Sequence, residues 1–289
     1  LPTEWNPGNT NVVWYNKDMV QAKGVKEPTD TMTHEEYTDW AVKMTDSSKG
    51  IYGTDLFLQT YYDFGDSVRD LGGDVMSDDG TKFLFGTDPL CLKVAQWATD
   101  IRVKYKAAPD RAGMSAEQLF PSGKLASTVS NAVNVVTFDK QIANKFKYGI
   151  VLGPVGPEGL RGYDSFSVSW NIFAKSKVPE QAYDLILYMT SKDAAIDALI
   201  SNGAVPARFS VWRNPEANKI SDIFSKVADW VQNSKSKGPF PLPANLRYTE
   251  LETTFENVGY PVWYGEVPFD AGVKKTQEEC QKIMDQPRG

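Results

Sequence analysis

The side chains that could do chemistry in this sequence are carboxylates set beside aromatic rings. Asp63 and Asp66 sit among Tyr61, Tyr62 and Phe64, and Asp164 lies between Tyr163 and Phe166. Glycoside hydrolysis needs two carboxyls about 5–10 Å apart across a cleft. The same residue types also suit a site that binds sugar hydroxyls and leaves the sugar intact. Aromatic residues make up 12% of the chain, with eight tryptophans, so flat apolar faces are available for the C–H face of a pyranose. Trp40, Trp97 and Trp230 fall on or beside helical stripes and read as core. Trp5, Trp170, Trp212 and Trp263 fall in loops, at strand starts or near helix ends, where a platform is conceivable.

Other chemistries have less to work with. His34 is the single histidine and lies inside the capping box Thr33-His34-Glu35-Glu36, where an exposed first-turn position is expected. Cys91 and Cys280 are two buried thiols or one bridge; both fall on apolar helix faces, which favours inert thiols over nucleophiles. One histidine and two cysteines exclude zinc ribbons and His-rich metal sites. The glycines at 153, 156 and 159 have the wrong spacing for a dinucleotide loop, and Pro154 and Pro157 lack the N–H donors a phosphate needs. Ser122-Gly123-Lys124 and Asp78-Asp79-Gly80 read as turns, and no G-x-S-x-G elbow is present.

These residues must be positioned by a chain of 289 residues, long enough for about two domains. Its 31 basic and 37 acidic residues give a net charge of −6 without a basic block, which argues against nucleic acid or an anionic membrane as the main partner. No run of 18 apolar residues exists to span a bilayer. Strands are expected at 11–15, 146–153 and 166–173, and a hairpin turn at 77–80. Helices are expected after Thr33, after Asp88-Pro89 with an inner stripe of Val94, Trp97, Ala98, Ile101 and Tyr105, over 179–188, over 220–231, and over 269–283. Alternating helices and short strands give an α/β class. Gly- and Pro-rich segments at 153–159 and 234–243 read as linkers, the first as the better hinge because strands flank it.

Several ordered segments carry a resemblance. Val13-Trp14-Tyr15-Asn16-Lys17-Asp18, Leu71-Gly72-Gly73 with the turn at Asp79-Gly80, Phe120-Pro121-Ser122-Gly123-Lys124-Leu125-Ala126, Tyr148 to Pro154, Ile172 to Ala182 and Gly203-Ala204-Val205-Pro206-Ala207-Arg208 follow one another as in family 1 of the extracellular solute-binding proteins of ABC importers, the maltose-binding-protein-like type. The chain is similar to that family almost end to end. The resemblance implies an α/β, class II periplasmic-binding-protein fold in which two lobes hinge shut on a solute. It implies a second lobe at 10–153 and 205–289, a returning piece of the first lobe at 160–204, and hinge crossings at 1–9 and 153–160. Most of a first lobe would then lie outside the chain, leaving Leu185, Ile186, Met189, Ala198 and Leu199 exposed or covered by a partner.

The implied partners are a small solute, with a sugar favoured, and the transmembrane subunits of an ABC permease. The implied location is periplasmic or extracellular, with or without a lipoprotein tether, and no cofactor, metal or bond chemistry is implied. The family's stacking tyrosine falls on Tyr62, while its stacking tryptophan falls near Val133, beside Asn131 and Asn134. The remaining ligand candidates are Trp5, Asn6, Ser169, Trp170 and Arg208 around the crossings, and Arg247 and Tyr248 near the last helices. The alternative is a glycoside hydrolase working through Asp63, Asp66 or Asp164.

Overall fold

The computed structural model describes residues 2–6, 12–55, 61–110, 116–162, 164–233, 240–241 and 247–286; side chains are described there except at 2–6, 61–62, 116–117, 164–167 and 240–241. The chain opens with β1 (Pro2–Asn6), β2 (Val12–Asn16), α1 (Lys17–Lys23), α2 (His34–Met44), α3 (Tyr61–Asp70) and α4 (Pro89–Thr99). Next come α5 (Ala116–Leu119), β3 (Ser127–Ser130), α6 (Val135–Ile142), β4 (Tyr148–Leu152) and β5 (Asp164–Ser169). Then follow α7 (Pro179–Met189), α8 (Lys192–Asn202), α9 (Phe209–Trp212), α10 (Pro215–Ile220), α11 (Ile223–Asn233), β6 (Phe240–Pro241), α12 (Tyr248–Trp263) and α13 (Phe269–Met284). The class is α/β with helices dominant.

The strands form two sheets of three, ordered β3-β2-β4 and β1-β5-β6. In the first, β2 pairs antiparallel with both neighbours, Trp14 opposite Thr128 on one side and Ile150 on the other. In the second, β1 pairs antiparallel with β5, and β6 lies parallel to β5. The chain therefore passes from one sheet to the other between β1 and β2, and back between β4 and β5.

All five residues of β2 are buried, which explains its unbroken apolar run. Val13 and Tyr15 face one hydrophobic cluster, with α2, α3, α4, α12 and α13 around it. Val12 and Trp14 face a second cluster built with α6, α8, α9, α10 and α11. An aromatic nest centres the first: Phe64 stacks on Trp263 at 5.6 Å, and Phe255 meets Phe85 edge-on at 5.3 Å.

Local signals place the helix starts. Thr33 Oγ1 accepts from Glu36 N at 3.1 Å and Glu36 Oε2 accepts from Thr33 N at 2.9 Å, a complete capping box. Asp88 caps α4, with Pro89 in its first turn. The turn at 77–80 is present: Met76 bridges Phe83, and Asp79 Oδ1 accepts from Ser77 and Thr81.

Other expectations are corrected. His34 is buried, not exposed, because its first-turn position faces the C-terminus of α3 and the ring of Trp97. Tyr105 leaves the α4 stripe: a π turn over Asp100–Lys104 adds a residue to the turn and rotates the next side chains outward. The helix expected from Ile220 breaks at Ser221, so Ile220 closes α10 and α11 begins at Ile223. The strand expected at 166–173 stops at Ser169. Cys91 and Cys280 are free, buried thiols. Trp212 and Trp263 are core residues and not ligand platforms; Trp212 Nε1 donates to Pro206 O at 2.8 Å. The 234–243 linker lies outside the described residues except at β6.

One stretch is uncovered. Along 168–189, Val168, Trp170, Ile172, Phe173, Leu185 and Tyr188 are exposed, Phe173 by 74% and Leu185 by 58%. Leu185 and Met189 are open, whereas Ile186 and Leu199, expected to be open or covered by a partner, are buried, Leu199 within the second cluster.

Candidate functional site

The end of β5 brings two candidate ligand residues to one recess. Ser169 and Trp170, with Val168, line a cavity of about 250 Å³ closed by Met189 of α7, Ala195 and Ala198 of α8, and Ala204, Val205 and Pro206. Trp170 is 48% exposed, so part of its ring is open to solvent. The cavity joins the end of one sheet's strand to the segment that runs on into α9. Arg208 lies just past this wall, and its Nη2 donates to Thr190 O at 3.2 Å, which ties it to the end of α7.

The other candidates with described side chains make contacts of their own. Asn131 caps the short turn after β3, accepting from Val133 N at 3.1 Å, and Asn134 Nδ2 donates to Ser130 Oγ at 2.6 Å. Arg247 pairs with Glu250 at 3.0 Å at the start of α12. Tyr248 packs against the first cluster. The side chains of Trp5, Asn6 and Tyr62 lie outside the described residues; the backbone places Trp5 opposite Ser167 and Asn6 opposite Phe166.

Two of the three carboxylates offered for hydrolysis are withdrawn from the surface. Asp63 and Asp66 are buried, and Asp66 pairs with Arg69 at 3.4 Å. Arg69 also reaches Asp74 at 3.3 Å, so Asp66 and Asp74 serve a buried guanidinium. The Asp164 side chain lies outside the described residues. Among the described residues, no group of three or more His, Cys, Asp or Glu could hold a metal, and no helix is long and apolar enough to cross a membrane.

Two polar networks lie apart from these candidates. The Tyr37 hydroxyl lies 2.6 Å from Thr54 Oγ1 and 2.9 Å from Ser127 Oγ, and burial pushes its phenol up to about 12. His34 Nε2 lies 3.0 Å from Asp70 Oδ2, and Asp70 Oδ1 accepts from Gly162 N at 2.6 Å. Burial raises the Asp70 carboxyl, while the His34 and Gly162 bonds pull it back. Nothing local in the sequence marks either network, because each joins residues far apart along the chain. A groove of about 360 Å³ lies beside the second network, lined by Trp97, Leu71, Val94 and Tyr105 among others.

Comparison with known proteins agrees with this architecture. The bacterial extracellular solute-binding protein family matches residues 2–196. A chain of Brucella abortus (strain 2308), named as a binding protein, is 23% identical over 210 residues, covering 68% of this chain and 48% of the relative; the chain thus spans about half the length of the curated relatives it matches. Among solved structures, the ABC substrate-binding protein Lmo0181 of Listeria monocytogenes, in complex with cycloalternan, superposes with a TM-score of 0.81 at 20% identity, covering 98% of this chain and 71% of that one. An ABC transporter solute-binding protein of Agrobacterium vitis S4 with bound D-mannitol gives 0.80 at 22% identity, covering 98% and 73%. The likeness shows the class II periplasmic-binding-protein fold. From the family match over most of its length, this chain belongs to the bacterial extracellular solute-binding protein family.

Proposed function

We propose that the chain is the solute-binding component of an ABC importer. It captures a sugar or sugar alcohol between two hinged bodies and hands it to the transmembrane subunits of a permease on the outer side of the membrane, with or without a lipid tether. The observation that carries this reading is the double passage between the two sheets, with Ser169 and Trp170 at the far end of β5, the strand that the second passage leads into. A solute that touches both bodies favours the shut form, since it makes only half of its contacts when they part. The solved relatives with cycloalternan and D-mannitol support a polyhydroxylated solute.

In this reading, 10–153 and 205–289 form the second lobe, 160–204 belongs to the first, and the crossings at 1–9 and 153–160 link them. Trp170 and Tyr62 supply stacking faces. Trp5, Asn6, Asn131, Ser169, Arg208, Arg247 and Tyr248 supply hydrogen bonds or walls around the solute. Hydrolysis has no support, because the Asp63 and Asp66 carboxyls are buried and Asp66 is committed to Arg69.

Thermal unfolding with maltose, cycloalternan, D-mannitol and ribitol, against an amino-acid panel, tests the reading. A cognate solute raises the melting temperature in step with ln(1 + [L]/Kd). Trp170→Ala and Tyr62→Ala each weaken that binding by about 1–3 kcal/mol. No shift with any polyol, or turnover of one into a product, overturns it.

A further inference from the structure

The passage between β4 and β5 carries more fastenings than a free linker would. Leu152 N donates to Asp30 Oδ1 at 2.8 Å, and Val155 N donates to Met32 O at 2.8 Å. Arg161, itself buried, donates through Nε to Gly153 O at 3.0 Å and through Nη2 to Asp30 O. Gly162 N donates to Asp70 Oδ1, so the last described residue before β5 is bonded to the C-terminus of α3.

Two glycines let the backbone come this close. A Cβ on Gly156 would lie 1.7 Å from Asp70 O, and one on Gly162 would lie 2.3 Å from Arg69 Cβ. The segment is therefore pressed against the final turn of α3 at both ends. Asp70 has its two oxygens divided between two elements: Oδ1 takes the Gly162 amide and Oδ2 faces His34 Nε2 of α2. His34 is held in turn by the Trp97 ring, 4.6 Å between centroids. The charged groups around this pair are Glu35, Asp39, Lys93 and Asp100 along the neighbouring groove, and Arg161 on the passage.

We infer that Asp70, oriented by His34, is a latch that fastens residues 153–162 to the body carrying the β3-β2-β4 sheet. The passage, including residues 160–162 that the division above gives to the first lobe, then turns with that body as one piece, and bending between the bodies does not fall within 153–162. His34 and Asp70 are positioning residues for closure. The inference rests on reading 153–162 as a passage between hinged bodies, but its test needs no solute, so the latch and solute capture can fail separately.

Hydrogen exchange of the protein, followed by mass spectrometry, tests it with paired variants. H34L removes the donor and D70A removes the acceptor. H34Q keeps a donor near the Nε2 position, and D70N keeps an oxygen for the Gly162 amide. Loss of one buried hydrogen bond in a locally opening segment gives about a tenfold rise in exchange. That rise is expected over 153–162 in H34L and D70A, with α12 and α13 unchanged. H34Q and D70N are expected to stay near wild type. Unchanged exchange in both H34L and D70A overturns the latch, as does a rise spread evenly over the chain. So does H34Q behaving like H34L, which would assign the effect to ring packing. If H34L and D70A do not fold while H34Q and D70N do, the pair serves the core and the latch is overturned.

Discussion

β2 and the 168–189 stretch are comparable in apolar character and opposite in fate. Val12 to Tyr15 are buried on both faces of their sheet, whereas Val168, Trp170, Phe173, Leu185 and Tyr188 stand open. Both runs carry the same instruction, which is that an apolar surface must be covered. The covering for β2 comes from helices within this chain. Along the 168–189 stretch, β1 pairs with Val168 and Ser169, and among the described side chains those of α8 and the 204–206 segment share a recess with Trp170 while most of the α7 face stays exposed. The difference teaches that apolar patterning states a demand for a partner and not the partner's whereabouts.

The sharpest way to break this contrast is to hollow out the covered region. Trp14→Ala removes a fully buried ring that meets Phe138 at 4.9 Å and Tyr148 at 5.6 Å. It is expected to cost about 3–5 kcal/mol in a denaturant titration. A loss below about 1 kcal/mol would mean that the sheet does not depend on its two-sided cover.

A smaller effect comes from the polar seam of the same region. Tyr37→Phe deletes the hydroxyl set between Thr54 and Ser127 and is expected to cost about 1 kcal/mol at neutral pH. It also changes the alkaline limb of stability. The folded phenol titrates near 12, above its ordinary value of about 10. Its contribution is complete below the ordinary value and is lost as pH rises from there to about 12, because the unfolded chain ionises first. The variant should show a shallower decline across that window. Tyr15 and Tyr148, both raised by burial and a neighbouring carboxylate, retain their own share of the slope. An identical slope in both proteins would remove Tyr37 from the account.

The smallest effect is expected on the open face. Leu185→Ser should change unfolding free energy by less than about 0.5 kcal/mol, since the side chain has little cover to lose. A loss comparable to that of Trp14→Ala would show that this face is covered in the molecule as it exists in solution.

Much of the fold could be read from local residues. The Val-Val-Trp-Tyr run, the Thr33–Glu36 capping box and Asp88-Pro89 each encode an element within a few positions. What could not be read depended on distant partners or on a change of helical period. His34 is turned inward by Asp70, 36 positions away, and Tyr105 is turned outward by a π turn that no spacing of apolar residues announces. Of the candidate site, Ser169 and Trp170 meet in one recess and Arg208 borders it. Asn131 illustrates the opposite outcome: a carboxamide offered for hydrogen bonding to a ligand is spent in part on capping its own turn, a use that short polar side chains take up readily.

The central strand also has a mechanical meaning. Val13 and Tyr15 belong to one hydrophobic assembly and Val12 and Trp14 to the other, so a single ribbon of five residues is the common wall of two rooms. Neither room can be emptied while the other stays furnished, because tearing the wall from one side strips it from both. The two assemblies therefore stand or fall together, however separately they are built along the chain.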